Sequence, residues 1–100
     1  MKPADARKII RDRAQDSGRI VVLPHARARM QQRRIDFLDV QRCLRGGAIT
    51  EGPYVPTDSR TGAFRCNVEG IVDGERLRVV VELPDKPPDL LVVTVIDLAR

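Results

Sequence analysis

The dipeptide Asp73-Gly74 constrains this chain more than any other feature. Both residues of a two-residue type I′ hairpin turn need positive φ, and Asp-Gly is among the pairs that tolerate it. Runs rich in valine, leucine and isoleucine flank the pair, so it joins two strands and sets Val72 opposite Glu75. The residue numbers of every pair further out then sum to 147. Phe64 meets Leu83, Cys66 meets Val81 and Val68 meets Val79 on one face, while Arg65 meets Glu82 and Glu69 meets Arg78 on the other. Side chains alternate along a strand, so a slip of one residue would turn the apolar set toward water; packing and charge select the same register.

Other segments supply partners for this hairpin. Residues 90–96 (Leu-Leu-Val-Val-Thr-Val-Ile) are almost continuously apolar, as expected for an interior strand covered on both faces, and residues 84–89 form the turn into it. Residues 48–56 read as extended, but Pro53 and Pro56 lack the amide that a central strand donates, which places them at a sheet edge. A polar loop follows over 57–62. Residues 19–23 are a short β-branched run between Gly18 and Pro24, expected to be a strand buried on both faces.

Three helices are expected before residue 48. Residues 3–16 open with proline, set Ala6, Ile9, Ile10 and Ala14 near one face, and stop before Ser17-Gly18. Residues 25–34 follow Pro24 and carry only a narrow apolar seam, Ala26 and Met30, among four arginines. Asp36 caps a third helix with Phe37, Val40, Cys43 and Leu44 on one face, and Gly46-Gly47 is expected to end it with a left-handed residue. The whole reads as one α+β domain over 1–100: an N-terminal helix at 1–18, a strand and two basic helices at 19–47, and antiparallel strands at 48–100. Helices cover one face of a mostly antiparallel sheet of four to five strands.

Charge is unevenly distributed. Residues 1–47 carry 12 Lys or Arg against 5 acids, a net +7, and residues 48–100 carry 6 against 9, a net −3, giving the overall +4. Arginine dominates the basic half, and its planar fork matches phosphate and carboxylate oxygens better than lysine does. An anionic partner follows, either RNA or an acidic protein segment. Phe37, Phe64 and Tyr54 are the only aromatics, a poor basis for a base-stacking platform. Cys43 and Cys66 lack the neighbouring Cys or His that a zinc site needs, so buried free thiols are expected and no metal or other cofactor is implied. No apolar run has signal-peptide or membrane-spanning length, which gives a cytoplasmic expectation with no membrane partner.

The chemistry concentrates in His25, Arg29 and Arg33, spaced four residues apart and therefore along one side of the second helix. Such a stripe suits RNA cleavage through the 2′-hydroxyl, in which a base removes the hydroxyl proton and cations stabilise the crowded phosphorane. Tyr54, with Glu51 and Arg65, is expected to face that stripe across a groove. Arg27, Arg34, Arg42, Arg45 and Arg65 are the candidate nucleic-acid contacts. The same spacing suits a histidine that only caps its helix and arginines that form a solvated face, and Arg65 with Glu82 suits a cross-strand pair.

The string His25-Ala26-Arg27-Ala28-Arg29-Met30-Gln31-Gln32-Arg33-Arg34-Ile35, the short helix ending in Gly46-Gly47, and the segments Asp73-Gly74-Glu75-Arg76-Leu77-Arg78-Val79-Val80-Val81 and Val92-Val93-Thr94-Val95-Ile96 resemble the DUF4258 family over residues 23–96. That family is similar in element order to the RelE and ParE toxins, which set two helices against a small antiparallel sheet and cleave messenger RNA or poison gyrase. By this resemblance His25, Arg29, Met30 and Arg33 match recurrent positions, with Met30 a core residue. A ribonuclease toxin often ends in tyrosine, histidine or lysine, whereas this chain reads Asp97-Leu98-Ala99-Arg100. The first helix is extra relative to the shortest toxins and would cover the sheet or, through Ile9 and Ile10, form a homodimer.

Three functions are consistent with these residues. The first is a toxin-like endoribonuclease, or messenger-RNA interferase, or translation inhibitor acting at the ribosome, held in check by a cognate antitoxin. The second is a noncatalytic module binding nucleic acid or protein through its arginine helices. The third is gyrase inhibition by protein contact.

Overall fold

Over residues 1–59, 61–86 and 89–98, which the structure describes, the computed structural model runs α1 (Pro3–Arg13), a 3-10 turn (Ser17–Arg19), β1 (Ile20–Val22), α2 (Pro24–Arg33), α3 (Phe37–Gly46), β2 (Ala48–Tyr54), β3 (Phe64–Val72), β4 (Glu75–Leu83) and β5 (Leu90–Asp97). Residues 60, 87 and 88, within the expected loop 57–62 and turn 84–89, lie outside the described residues, as do residues 99 and 100. The fold is α+β, three helices on one face of a five-strand mixed sheet with order β1-β5-β4-β3-β2.

The hairpin determines which side chains meet the helices. Asp73 and Gly74 have φ of 51° and 80°, the positive pair that a type I′ turn requires. β3 and β4 then pair without a shift from Val72↔Glu75 to Phe64↔Leu83. Cys66, Val68, Val79 and Val81 are fully buried on the helix side, and Arg65, Asn67, Glu69, Arg78 and Glu82 alternate onto the uncovered side. β5 runs antiparallel to β4, with a shift between Val80 and Val81, and parallel to β1 on its far side.

β2 occupies one edge, as Pro53 requires, and two register shifts accommodate it against β3. β1 occupies the other, and the expectation of burial on both faces is corrected: Ile20 is buried, but Val21 alternates onto the face that no helix covers and is 38% exposed. β5 is interior yet buried mainly on one face, since no helix covers the other.

Each helix contributes a few large apolar residues to one core. Ile10 of α1, Met30 of α2 and Val40 and Leu44 of α3 join Val68, Val79, Val81, Leu90, Val92 and Val95 from the strands. α1 therefore covers the sheet and spends Ile10 there. The start of β5 is clamped from this side: Arg13 Nη1 in the last turn of α1 donates to the Asp89 carbonyl at 2.8 Å, and Arg19 Nε in the 3-10 turn donates to the Asp89 carboxylate at 2.6 Å. The Arg19 hydrogen bond holds the Asp89 carboxyl below its ordinary range. Cys43 and Cys66 are buried free thiols, and burial pushes each up to about 11.

α3 begins at a reciprocal capping box. Asp36 accepts from the Asp39 amide at 2.9 Å, and Asp39 accepts from the Asp36 amide at 3.1 Å. Its end differs from the left-handed glycine expected there. Gly47 has φ −76°, and what excludes a side chain is proximity, since a Cβ would lie 2.5 Å from the Glu69 carbonyl oxygen and 2.6 Å from that of Cys43. The left-handed helix cap belongs to α2, at Arg34 with φ 56°.

Gly47→Ala must therefore push α3 off β3, and urea unfolding should show a loss of roughly 3 kcal/mol. Gly46→Ala, whose Cβ meets nothing within 4 Å, should hold or raise stability by up to about 0.5 kcal/mol. Equal effects at the two positions would contradict the close approach.

Candidate functional site

α2 starts because Pro24 presets the helical φ at a position whose amide needs no partner. Ala26 and Met30 face the core, and α2 lies over β5. With that face fixed in this way, His25, Arg29 and Arg33 run along the flank beside it, all exposed, with the Arg29 and Arg33 end toward β5. The stripe spans roughly 12 Å along the helix axis. His25 sits in the first helical turn, among amides that still have lone donors.

Arg29 and Arg33 border β5, lining a small cleft of about 70 Å³ with Val95, Ile96 and Asp97. Arg33 and Arg34 also border a larger one of about 280 Å³, where Asp39, Asp73, Glu75 and Asp97 surround a floor of Ile35, Val72 and Leu77. One end of the stripe therefore adjoins carboxylates, and the His25 end does not.

The other candidates divide into three groups. Arg27 is exposed on α2, and Arg34 is exposed at its C-cap. Arg42 and Arg45 are exposed on α3, where Arg42 reaches Asp73 at 3.5 Å. Arg65 and Tyr54 pair across β3 and β2, so both side chains belong to the uncovered sheet face. Glu51 shares that face through Asn67, which donates to its carboxylate at 3.1 Å. The groove expected between Tyr54 and the stripe does not form, because α2 lies on the opposite face of the sheet and β2 is the far edge strand from β5 and β1.

Pairing separates these cations more clearly than position does. On the uncovered face, Arg65 donates to Glu82 from Nη2 at 2.5 Å and from Nε at 3.1 Å. The hydrogen bond to Glu82 holds the Arg65 guanidinium above its usual range. Glu69 accepts from Thr50 at 2.8 Å and from Arg78 at 3.0 Å, with Arg76 at 3.9 Å; Thr50 first and Arg78 next hold its carboxyl below the usual range. On the helices, by contrast, Arg27, Arg29, Arg33, Arg34 and Arg45 have no side-chain ion pair among the described residues.

Sequence reading missed two features here. Glu69 gathers Thr50 as well as Arg78, through a β2 shift that no pattern announces. Arg7 on α1 buries Nη1 without an acceptor among the described residues; its only sequence signal is the four-residue spacing to Arg11. Among the described residues no group of His, Cys, Asp and Glu is placed to hold a metal ion, and no helix is long and apolar enough to cross a membrane.

Residues 22–97 match the model of a family described as Domain of unknown function (DUF4258). No curated protein and no solved structure matches the chain.

The division between paired and unpaired arginines has a measurable consequence. Arg65→Ala leaves the Glu82 carboxylate, 12% exposed, without its partner and should cost about 1 to 2 kcal/mol in urea unfolding. Arg29→Ala breaks no side-chain ion pair among the described residues and should change stability by less than about 0.5 kcal/mol. Comparable losses would mean that Arg29 is a structural residue.

Proposed function

We propose that this chain, which belongs to the DUF4258 family, is a toxin-like protein that acts on RNA as an endoribonuclease, with α2 as its working surface. The observation that carries this reading is the exposed stripe of His25, Arg29 and Arg33, whose two guanidiniums have no internal counter-ion among the described residues. A fixed, uncompensated row of guanidiniums attracts the phosphodiester backbone and presents forked donors to its oxygens.

In this reading His25 takes the proton of a 2′-hydroxyl, and the freed oxygen attacks the adjacent phosphorus. The bond from phosphorus to the 5′-oxygen breaks, leaving a 2′,3′-cyclic phosphate and a 5′-hydroxyl whose proton comes from water. Arg29 and Arg33 stabilise the charge that builds on the phosphorane oxygens. Arg27 and Arg34 extend the backbone contact. The similarity in element order to RelE and ParE toxins supports a cytoplasmic target such as messenger RNA at the ribosome. It also supports an antitoxin whose acidic segment neutralises the same helix.

A noncatalytic RNA-binding module is the second reading, favoured by the position of Tyr54 and Arg65 on the other sheet face, which leaves His25 the only general base or acid on the stripe. The two readings separate in one assay. With purified protein and single-stranded RNA, cleavage to 2′,3′-cyclic phosphate ends should fall by about 10² to 10⁴ in His25→Ala, while binding stays within a few-fold. Arg29→Ala and Arg33→Ala should each lower cleavage by about 10² to 10³. Binding without turnover in the wild type favours the module; inhibition of gyrase supercoiling that survives His25→Ala, without RNA binding, sinks both.

A further inference from the structure

The second cationic surface lies where α1 meets α3. An open groove of about 330 Å³ is lined by Gln15, just past α1, and by Arg42, Arg45 and Gly46 of α3. Gln15 donates to the Arg11 carbonyl at 3.0 Å, so Arg11 and Gln15 share one flank of α1, and Arg7 lies one turn earlier on that flank. The groove is thus lined by guanidiniums of α3, with Arg11 of α1 one turn before Gln15.

Little acidic charge offsets them. Asp12 forms only a long, exposed pair with Arg19 at 3.8 Å, and Asp16 accepts from the Gly18 amide at 2.8 Å. The acid nearest Arg42 is Asp73 at 3.5 Å, with side chains 50% and 75% exposed, a pair weak enough for a phosphate to displace. Arg45 has no ion pair among the described residues. Burial and then the like charge of Arg11 disfavour the charged form of Arg7, whose Nη1 is a buried donor without an acceptor. Bound anionic oxygen would relieve that repulsion. At Gly46 a Cβ would meet nothing within 4 Å, so the floor of the groove is free for close approach.

We infer that the α1–α3 groove is a second phosphate-backbone site for single-stranded RNA, formed by Arg11, Gln15, Arg42 and Arg45 and lengthening the contact begun on α2. This rests on the reading that the partner is RNA. α1 and Gln15 lie outside residues 22–97, so one wall of this groove comes from a segment beyond the family-matched region. A row of fixed guanidiniums suits the repeated charge of a phosphodiester chain better than a single anion.

Fluorescence anisotropy with a labelled tetranucleotide and a longer single-stranded RNA tests this, using the full chain, Arg11→Ala/Arg45→Ala and Arg29→Ala/Arg33→Ala, each checked for folding by circular dichroism. The groove variant should bind the longer RNA about tenfold more weakly, with the slope of log K against log salt shallower by about 1.4, and bind the tetranucleotide as wild type does. Arg45→Lys should retain most of the affinity. A groove variant that matches wild type on the longer RNA overturns the second site, while a loss confined to the α2 variant leaves the RNA reading standing. Failure of the wild type to bind either RNA overturns both. Poly-glutamate displacing the longer RNA at equal charge concentration overturns the assignment in favour of an acidic protein.

Discussion

The pairing of β3 with β4 is the constraint on which the other features depend. Once Asp73 and Gly74 adopt their positive φ values, nine consecutive residue pairs are fixed without a shift. Every second side chain is then assigned to the helix layer or to the uncovered face. A slip by one residue would direct Arg65, Glu69, Arg78 and Glu82 into a core built of valines, where unpaired charge is far costlier than at a surface. The hairpin thus decides both where the helices dock and which charges remain free for a partner.

That assignment divides the ionic groups by role. The sheet charges face one another at the spacing of cross-strand neighbours and are consumed in Arg65–Glu82 and Glu69–Arg78. The helix charges cannot pair in the same way. α2 contains no acid, so no i, i+4 partner exists within it, and its arginines are exposed. The molecule's net positive charge is therefore concentrated on the helix layer, and an anionic macromolecule meets it there first.

Much of this was legible because it follows from period and turn chemistry. The hairpin register, the edge position imposed by Pro53, the Asp36 cap and the burial of Ala26 with Met30 each depend on a few neighbouring residues. What was not legible depends on distant chain. Val21 reads as core, but its exposure follows from its place on the sheet face that no helix covers. Gly47 ends α3 as its sequence suggests, but through backbone contact with Glu69 and not a left-handed φ, which is visible only once α3 lies on β3. Tyr54 shares no local pattern with His25, so whether they meet depends on which sheet face each occupies.

The position of α1 bears on how the family domain should be understood. Residues 22–97 contain both central helices and four complete strands, yet the core also uses Ala6, Ile10 and Ala14, each fully buried. The Ala14 carbonyl accepts from Gln41 at 2.9 Å, and Arg13 holds the carbonyls of Pro84 and Asp89. Without α1, the flank of α3 and the entry to β5 would lose both apolar cover and these ties. α1 is thus part of the hydrophobic core, and the arginines it carries are held in fixed relation to those of α3. A flexible basic tail could add charge near an anion, but it would lose conformational entropy on binding. A docked helix has already met that cost in folding, which is why the same arginines are better suited here to a defined site than to diffuse attraction.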